Sequence, residues 1–357
     1  MKRTRTTCRL ERVALLAGLV TAGCAVDGDG RRRGSELAAF APAGAIGPRV
    51  VVYGGLDALL PHFDPTPALE RWLYGPSDFG RTMLRNPQGM TLATGRLLVC
   101  DQGLADIVAV DLTTGKSVPW ADPNHPPRCP VDVTTDAEGR VYVADTTLGS
   151  VIVYAGGGTY VEELTPAPTF RPTAVLVVDG MLLVGDAGGR ALARWNIEQR
   201  IWLEPWTPPG MIAPVGLAAD ADGNFLIADA VAGQVFRVTS DGRRLTPLGR
   251  AGRGPGEFVR PKQVCATQSG LILVVDAGRQ SLIVFSHDGT YVTEIHERVD
   301  GWRGWTLPMG VITLDPSLLP ELDRPDTCVL VSDSLGAPSL TVLGVLEGSS
   351  PKTADVR

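Results

Sequence analysis

Histidine is nearly missing from this sequence: there are four among 357 residues, His62, His125, His287 and His296, and no two stand at a metal-binding spacing. His296-Glu297 begins like a zinc-peptidase motif, but Asp300 occupies the place of the second histidine, and the surrounding pattern is that of strands. A Gly-x-Ser-x-Gly elbow is also absent. The glycines between Gly249 and Gly256 lead into a strand pattern, so no helix dipole backs them as a phosphate loop requires. Beyond the first residues, no apolar run is long enough to cross a bilayer. These absences leave no catalytic residue, no metal ligand set and no cofactor site legible. A net charge of −6 with a pI near 5.3 argues against a dedicated nucleic-acid surface.

What is present begins with a secretory leader at residues 1–23. Lys2, Arg3, Arg5, Arg9 and Arg12 precede a short apolar run from Val13 to Val20, followed by Thr21-Ala22-Gly23-Cys24. The segment resembles a bacterial lipoprotein signal, with Thr21 where that family usually has Leu. The resemblance implies that Cys24 becomes the lipidated N-terminus, and several acyl chains hold a protein to a membrane durably. Ala25 after the cysteine resembles outer-membrane sorting, so the expected location is the cell envelope, at the outer membrane or the periplasmic side of the inner one. Residues 24–48, rich in Gly, Ala, Arg and Pro, read as a flexible tether. Arg31-Arg32-Arg33 within it reads as solvated charge, with contact to anionic lipid headgroups as the other reading. Residues 348–357 read as a disordered tail.

Between them the sequence repeats itself. A proline opens an apolar strand, a polar turn follows, and a second strand ends in aspartate. The pattern runs from Pro87 to Asp101, Pro130 to Asp145, Pro172 to Asp186, Pro214 to Asp229, Pro261 to Asp276 and Pro308 to Asp333, with prolines 42 to 47 residues apart. A Gly/Ala/Ser loop and a third strand follow each aspartate, and turns such as Ser240-Asp241-Gly242 introduce a fourth. Helical solenoids of similar period fail, because prolines and Asp-Gly turns interrupt every window. No unit this small buries both faces of its own sheet, so neighbouring sheets must pack around an axis. The expectation is an all-β fold: a six-bladed β-propeller with four-stranded blades over residues 49–347. The strand Arg49 to Gly54 is expected to complete blade six, closing the ring without an open edge.

The Pro-to-Asp spans and the stretch Gly249-RAGRGPGEFVRP-Lys262 resemble NHL repeats over residues 74 to 346, although none keeps the Asn-x-Arg that such repeats place after the aspartate. The propeller enzyme most similar in plan, the peptidyl-hydroxyglycine amidating lyase, holds zinc with axial histidines from several blades. This sequence does not supply them.

The repeated Asp101, Asp145, Asp186, Asp229, Asp276 and Asp333 suggest a carboxylate ring, but one residue at one place in every unit does one structural job: accepting N–H bonds from the loop after the second strand. Asp136 to Gly139 and Asp220 to Asn224 are similar to calcium loops, yet glycine comes fourth rather than sixth and Val231 takes the twelfth place of the second; they read as hairpin turns. Cys100 and Cys129 fall near one face of adjacent blades, which suggests a disulfide, with buried free thiols as the other reading. Arg128, Arg171, Arg190, Arg260, Arg279 and Arg303, with Trp302 and Trp305, are expected on the face formed by the loops leading into the blades and those after each aspartate. One basic face on an acidic protein suits a protein or an anionic extracellular polymer; solvated charge is the competing reading. The function expected is an envelope-anchored binding or scaffold module, with a gluconolactonase-like or amidating-lyase-like propeller enzyme using an axial metal as the alternative.

Overall fold

The computed structural model describes residues 35–39, 49–56, 84–113, 116–296, 304–319, 322, 325–336 and 339–346. The leader, Cys24, Arg31 to Arg33 and the tail from 348 lie outside the described residues.

Strands β1 (Ser35–Ala39) and β2 (Arg49–Gly55) precede six antiparallel sheets. Blade one contains β3 (Pro87–Ala93), β4 (Arg96–Asp101), β5 (Asp106–Asp111) and β6 (Ser117–Pro119), and blade two contains β7 (Pro130–Thr135), β8 (Val141–Asp145), β9 (Ser150–Tyr154) and β10 (Tyr160–Leu164). Blade three follows with β11 (Pro172–Val178), β12 (Met181–Asp186), β13 (Ala191–Asn196) and β14 (Ile201–Trp206). Blade four has β15 (Pro214–Ala219), β16 (Phe225–Asp229) and β17 (Gln234–Val238); blade five has β18 (Pro261–Ala266), β19 (Ile272–Asp276), β20 (Ser281–Phe285) and β21 (Tyr291–Ile295). Blade six consists of β22 (Pro308–Leu314), β23 (Thr327–Asp333) and β24 (Leu340–Leu346), completed by β2 and then β1. The innermost strands β3, β7, β11, β15, β18 and β22 each touch the next, and β22 returns to β3. The six-bladed propeller is closed.

Ring closure by an N-terminal strand agrees with the sequence: β2 pairs with β24 from Arg49↔Leu346 to Gly55↔Thr341. Two details differ. Ser35–Ala39, expected inside the tether, is a fifth strand paired outside β2. In blade four the fourth strand shrinks to the bridges Val235↔Leu248 and Val238↔Arg244, because Pro247 and the glycines of the following stretch break a regular ladder.

The second strand of each blade is a nearly continuous apolar run because both its faces are covered. All five residues of β8, β16 and β19 are buried. The core is accordingly divided among the interfaces between blades. Leu98, Cys100, Val133, Val143 and Tyr154 fill the space between blades one and two, while Leu226, Val235, Phe258, Val274 and Phe285 fill that between four and five.

The repeated aspartates do the structural job the repeat implies. Asp145 accepts from Arg128 and Cys129 N–H on one side and from Thr147 and Leu148 N–H on the other. Asp229, Asp276 and Asp333 each do the same with four N–H groups, so each carboxylate ties the loop leading into its blade to the loop after the second strand. The calcium-like stretches are hairpin turns: Asp136 N–H bonds to Arg140 O, and Asp220 N–H to Asn224 O.

Candidate functional site

Each innermost strand starts with the same irregularity. Its proline pairs with the repeated aspartate, as in Pro130↔Asp145, and the register then slips before the ladder resumes, as in Asp132↔Ala144. The slip occurs directly after the proline in all six blades. A bulge of this kind re-aims the extra side chain. The six residues after the prolines, Gln88, Val131, Thr173, Val215, Lys262 and Met309, all line one axial cavity of about 250 Å³, joined by Gly89, Gln102 and Gln263. The cavity opens on the face carrying the loops that lead into the blades, because the innermost strands begin there.

Its floor is set by the next residue along. At that place stand Gly89, Ala174, Gly216 and Gly310 in four blades, but Asp132 in blade two and Gln263 in blade five. Those two blades face each other across the axis of a six-bladed ring. Gln263 Nε2 donates to Asp132 Oδ1 at 3.3 Å, and Val175 N–H donates to Oδ2 at 3.0 Å. The small residues make room for this bond: a Cβ on Gly89 would lie 2.1 Å from Asp132 Oδ1, and one on Gly216 would lie 2.5 Å from Gln263 Oε1. Burial dominates the chemistry of Asp132, pushing its pKa up to about 7 against the three hydrogen bonds that lower it.

The walls combine one cation with neutral groups. Lys262 is held below the ordinary lysine pKa, first by desolvation and second by Arg260. Its ammonium makes no hydrogen bond or ion pair among the described residues. Thr173 donates to Gly185 O and contacts Pro214 O, tying blade three to blade four. Gln88 Nε2 donates to Asn86 Oδ1 at 2.7 Å and Ser334 Oγ at 2.8 Å, which ties blade one to blade six.

An axial metal does not fit this donor set. The cavity walls and floor carry one carboxylate, already engaged by Gln263 and Val175, and no imidazole. Among the described residues no group of three or more His, Cys, Asp and Glu is placed to hold a metal ion. The three described histidines lie elsewhere: His125 stacks on Tyr160, His287 pairs with Asp222, and His296 is exposed just after β21.

Of the expected binding face, Arg128, Arg171, Arg190 and Arg260 are exposed. The first, second and fourth have backbones fixed by Asp145, Asp186 and Asp276 in the loops leading into blades two, three and five. Arg190 closes the loop after Asp186 in a left-handed conformation, φ 54°. Two residues expected there do other work. Arg279 is turned inward, paired with Glu294 and donating to Gly254 O and Glu257 O, so its charge is spent on blade five. Trp305 is 5 % exposed and packs between blades five and six, so it anchors nothing outside. Trp302 and Arg303 lie outside the described residues.

Of the two readings of Cys100 and Cys129 the structure has the free thiols: Cys100, Cys129, Cys265 and Cys328 all stand unbridged. Cys100 is fully buried between blades one and two, and burial first, then surrounding aspartates, raises its pKa well above an ordinary thiol. Cys129 is held at the rim of the loop by its N–H bond to Asp145.

Comparison with known proteins agrees with this architecture. A family model described as a 6-bladed beta-propeller matches residues 211–300. Among solved structures, a structural-genomics protein of unknown function from Bacteroides thetaiotaomicron aligns with a TM-score of 0.58 and 16% identity, over 73% of this chain and 70% of that one. A putative gluconolactonase gives 0.57 and 13% identity over 75% and 91%. A virginiamycin B lyase from Staphylococcus aureus gives 0.52 and 13% over 73% and 95%. At these identities the likeness is one of fold.

Proposed function

We propose that the chain is an envelope lipoprotein, anchored through Cys24, whose NHL-type propeller is a binding module for a protein or an anionic extracellular polymer. The observation that carries this reading is that four exposed arginines, Arg128, Arg171, Arg190 and Arg260, stand in the loops at the end where the innermost strands begin, on an acidic molecule. Charge gathered on one face steers encounter with an anionic partner, and arginine is among the residues that supply most affinity at interfaces. The donor set of the axis supports a module of this kind over a metal-dependent hydrolase or lyase.

The test compares the wild-type domain with the triple variant Arg128→Ala, Arg171→Ala, Arg260→Ala in capture from envelope extracts. The wild type is expected to retain a partner that the variant releases, more sharply at low salt, with unchanged melting; equal recovery of the same partner by both refutes the face. Intact-mass measurement of membrane-extracted protein is expected to find diacylglycerol on Cys24, and an unmodified N-terminus elsewhere refutes the anchor.

A further inference from the structure

The axial cavity presents a cation with no carboxylate partner among the described residues, and nothing in the binding-module reading uses it. We infer that this cavity is a binding site for a small organic carboxylate with an apolar body, whose carboxylate meets Lys262 and whose body lies against Val131, Val215 and Met309. The inference stands independently of the anchor and of any macromolecular partner.

Four observations converge. The bulge after each proline sends one side chain per blade to the same point, so the cavity is a product of the repeat geometry. Three of those six side chains are apolar, and one is a lysine whose ammonium has no ion pair among the described residues. Asp132 is not that partner. It is engaged by Gln263 and Val175 beneath the cavity, and it is absent from the charges that act on Lys262. Lastly, Arg260, outside the cavity wall, lies close enough to act on the lysine, so the positive charge of the site is not offset by its surroundings.

A desolvated ammonium beside a second cation is costly to keep charged, and an anion seated against it relieves that cost. The volume selects the size. Pockets for drug-sized ligands run to about 300–1,000 Å³, so about 250 Å³ takes a smaller molecule than these. The neutral amide of Gln102 on the wall provides a donor that orients a carboxylate without adding charge. A dianion such as phosphate finds no apolar complement here and would forfeit the contact with Val131, Val215 and Met309.

Binding is measured by calorimetry and by ligand-detected NMR, using 4-methylpentanoate and N-acetyl-leucine, each against its own primary amide, and inorganic phosphate. The acids are expected to bind and the amides not. 4-Methylpentanoate binding alone marks a free acid as the ligand, and stronger binding of N-acetyl-leucine marks a peptide C-terminus. Lys262→Met should weaken acid binding by about tenfold or more, the weight of one charge-assisted hydrogen bond, while Lys262→Arg should retain most of it. Melting curves of both variants check that the propeller is intact. The inference is overturned by equal binding of acid and amide, by Lys262→Met binding as the wild type does, by phosphate competing equally, or by no binding of either acid at millimolar concentration.

Discussion

Aspartate does two opposite things in this molecule, and the difference is a matter of hydrogen-bond supply. Asp145, Asp229, Asp276 and Asp333 each receive four backbone N–H groups, which replace the water a buried carboxylate loses. Asp132, 3% exposed, receives fewer bonds and lies on the axis, so desolvation prevails and its pKa rises to about 7 from 3.8. The linkage follows directly. Between those values the folded state keeps a proton that the unfolded chain has released, so stability falls as pH rises through this window and levels off above it. The loss across the whole window is at most about 4 kcal/mol. Asp132→Asn keeps the shape and removes the titration. The variant is expected to melt with little pH dependence of this origin, gaining on the wild type steadily as pH rises from mildly acidic to neutral. Thermal melts across that range decide the matter, and parallel curves for the two proteins would show that Asp132 ionises normally.

At the scale of elements, the close approach of one innermost strand to the next governs the axis. Gly89 on β3 faces Asp132 on β7 so closely that a Cβ would lie 2.8 Å from the Asp132 Cα as well as 2.1 Å from its carboxylate oxygen. Backbone cannot yield as a flexible side chain can. Gly89→Ala is therefore expected to cost about 3 kcal/mol or more through overpacking, whereas Gly95→Ala, with open space around it and φ 77°, should cost about 1 kcal/mol from its left-handed backbone alone. Denaturant unfolding of the two variants compares them, and equal costs would mean that blades one and two separate easily. The strands themselves are legible in the sequence, since proline, a buried apolar run and aspartate mark each blade in register. The cavity is not, because a bulge changes where a side chain points without changing the repeat. One signal does exist: aligned on their prolines, the repeats have a small residue at the third place in four blades, against Asp132 and Gln263. Trp305 departs from its expected exposure because loop residues default to the surface, and here a loop folds inward between two blades. The outer strand of blade four departs for a different reason: outer strands carry little apolar signal, and the stretch between β17 and Pro261 is a loop held by isolated bridges.

The whole molecule stands or falls on closure. Five blades are each made from one continuous segment, but blade six joins β22, β23 and β24 to β2, so the two ends of the chain meet in one sheet. Strand β2 contributes packing as well as pairing. Val51, Val52 and Tyr53 are 7%, 4% and 2% exposed, and Tyr53 lies against Gly344, where a Cβ would come within 2.6 Å of its ring. Burying three such side chains is worth on the order of 5 kcal/mol, which is comparable to the whole net stability of a typical domain. Removing β2 also leaves β24 as an uncovered apolar edge, a template for pairing between molecules. Two truncations separate these effects from those of the preceding segment. A chain beginning at Arg49 keeps β2 and is expected to stay monomeric and melt cooperatively, with a modest loss from the missing β1. A chain beginning at Leu56 should lose cooperative melting or associate, as read by calorimetry and by size-exclusion chromatography with light scattering. Indistinguishable behaviour of the two truncations would mean that the ring holds through its five continuous blades alone, and that the pairing of β2 with β24 covers an edge without closing the fold.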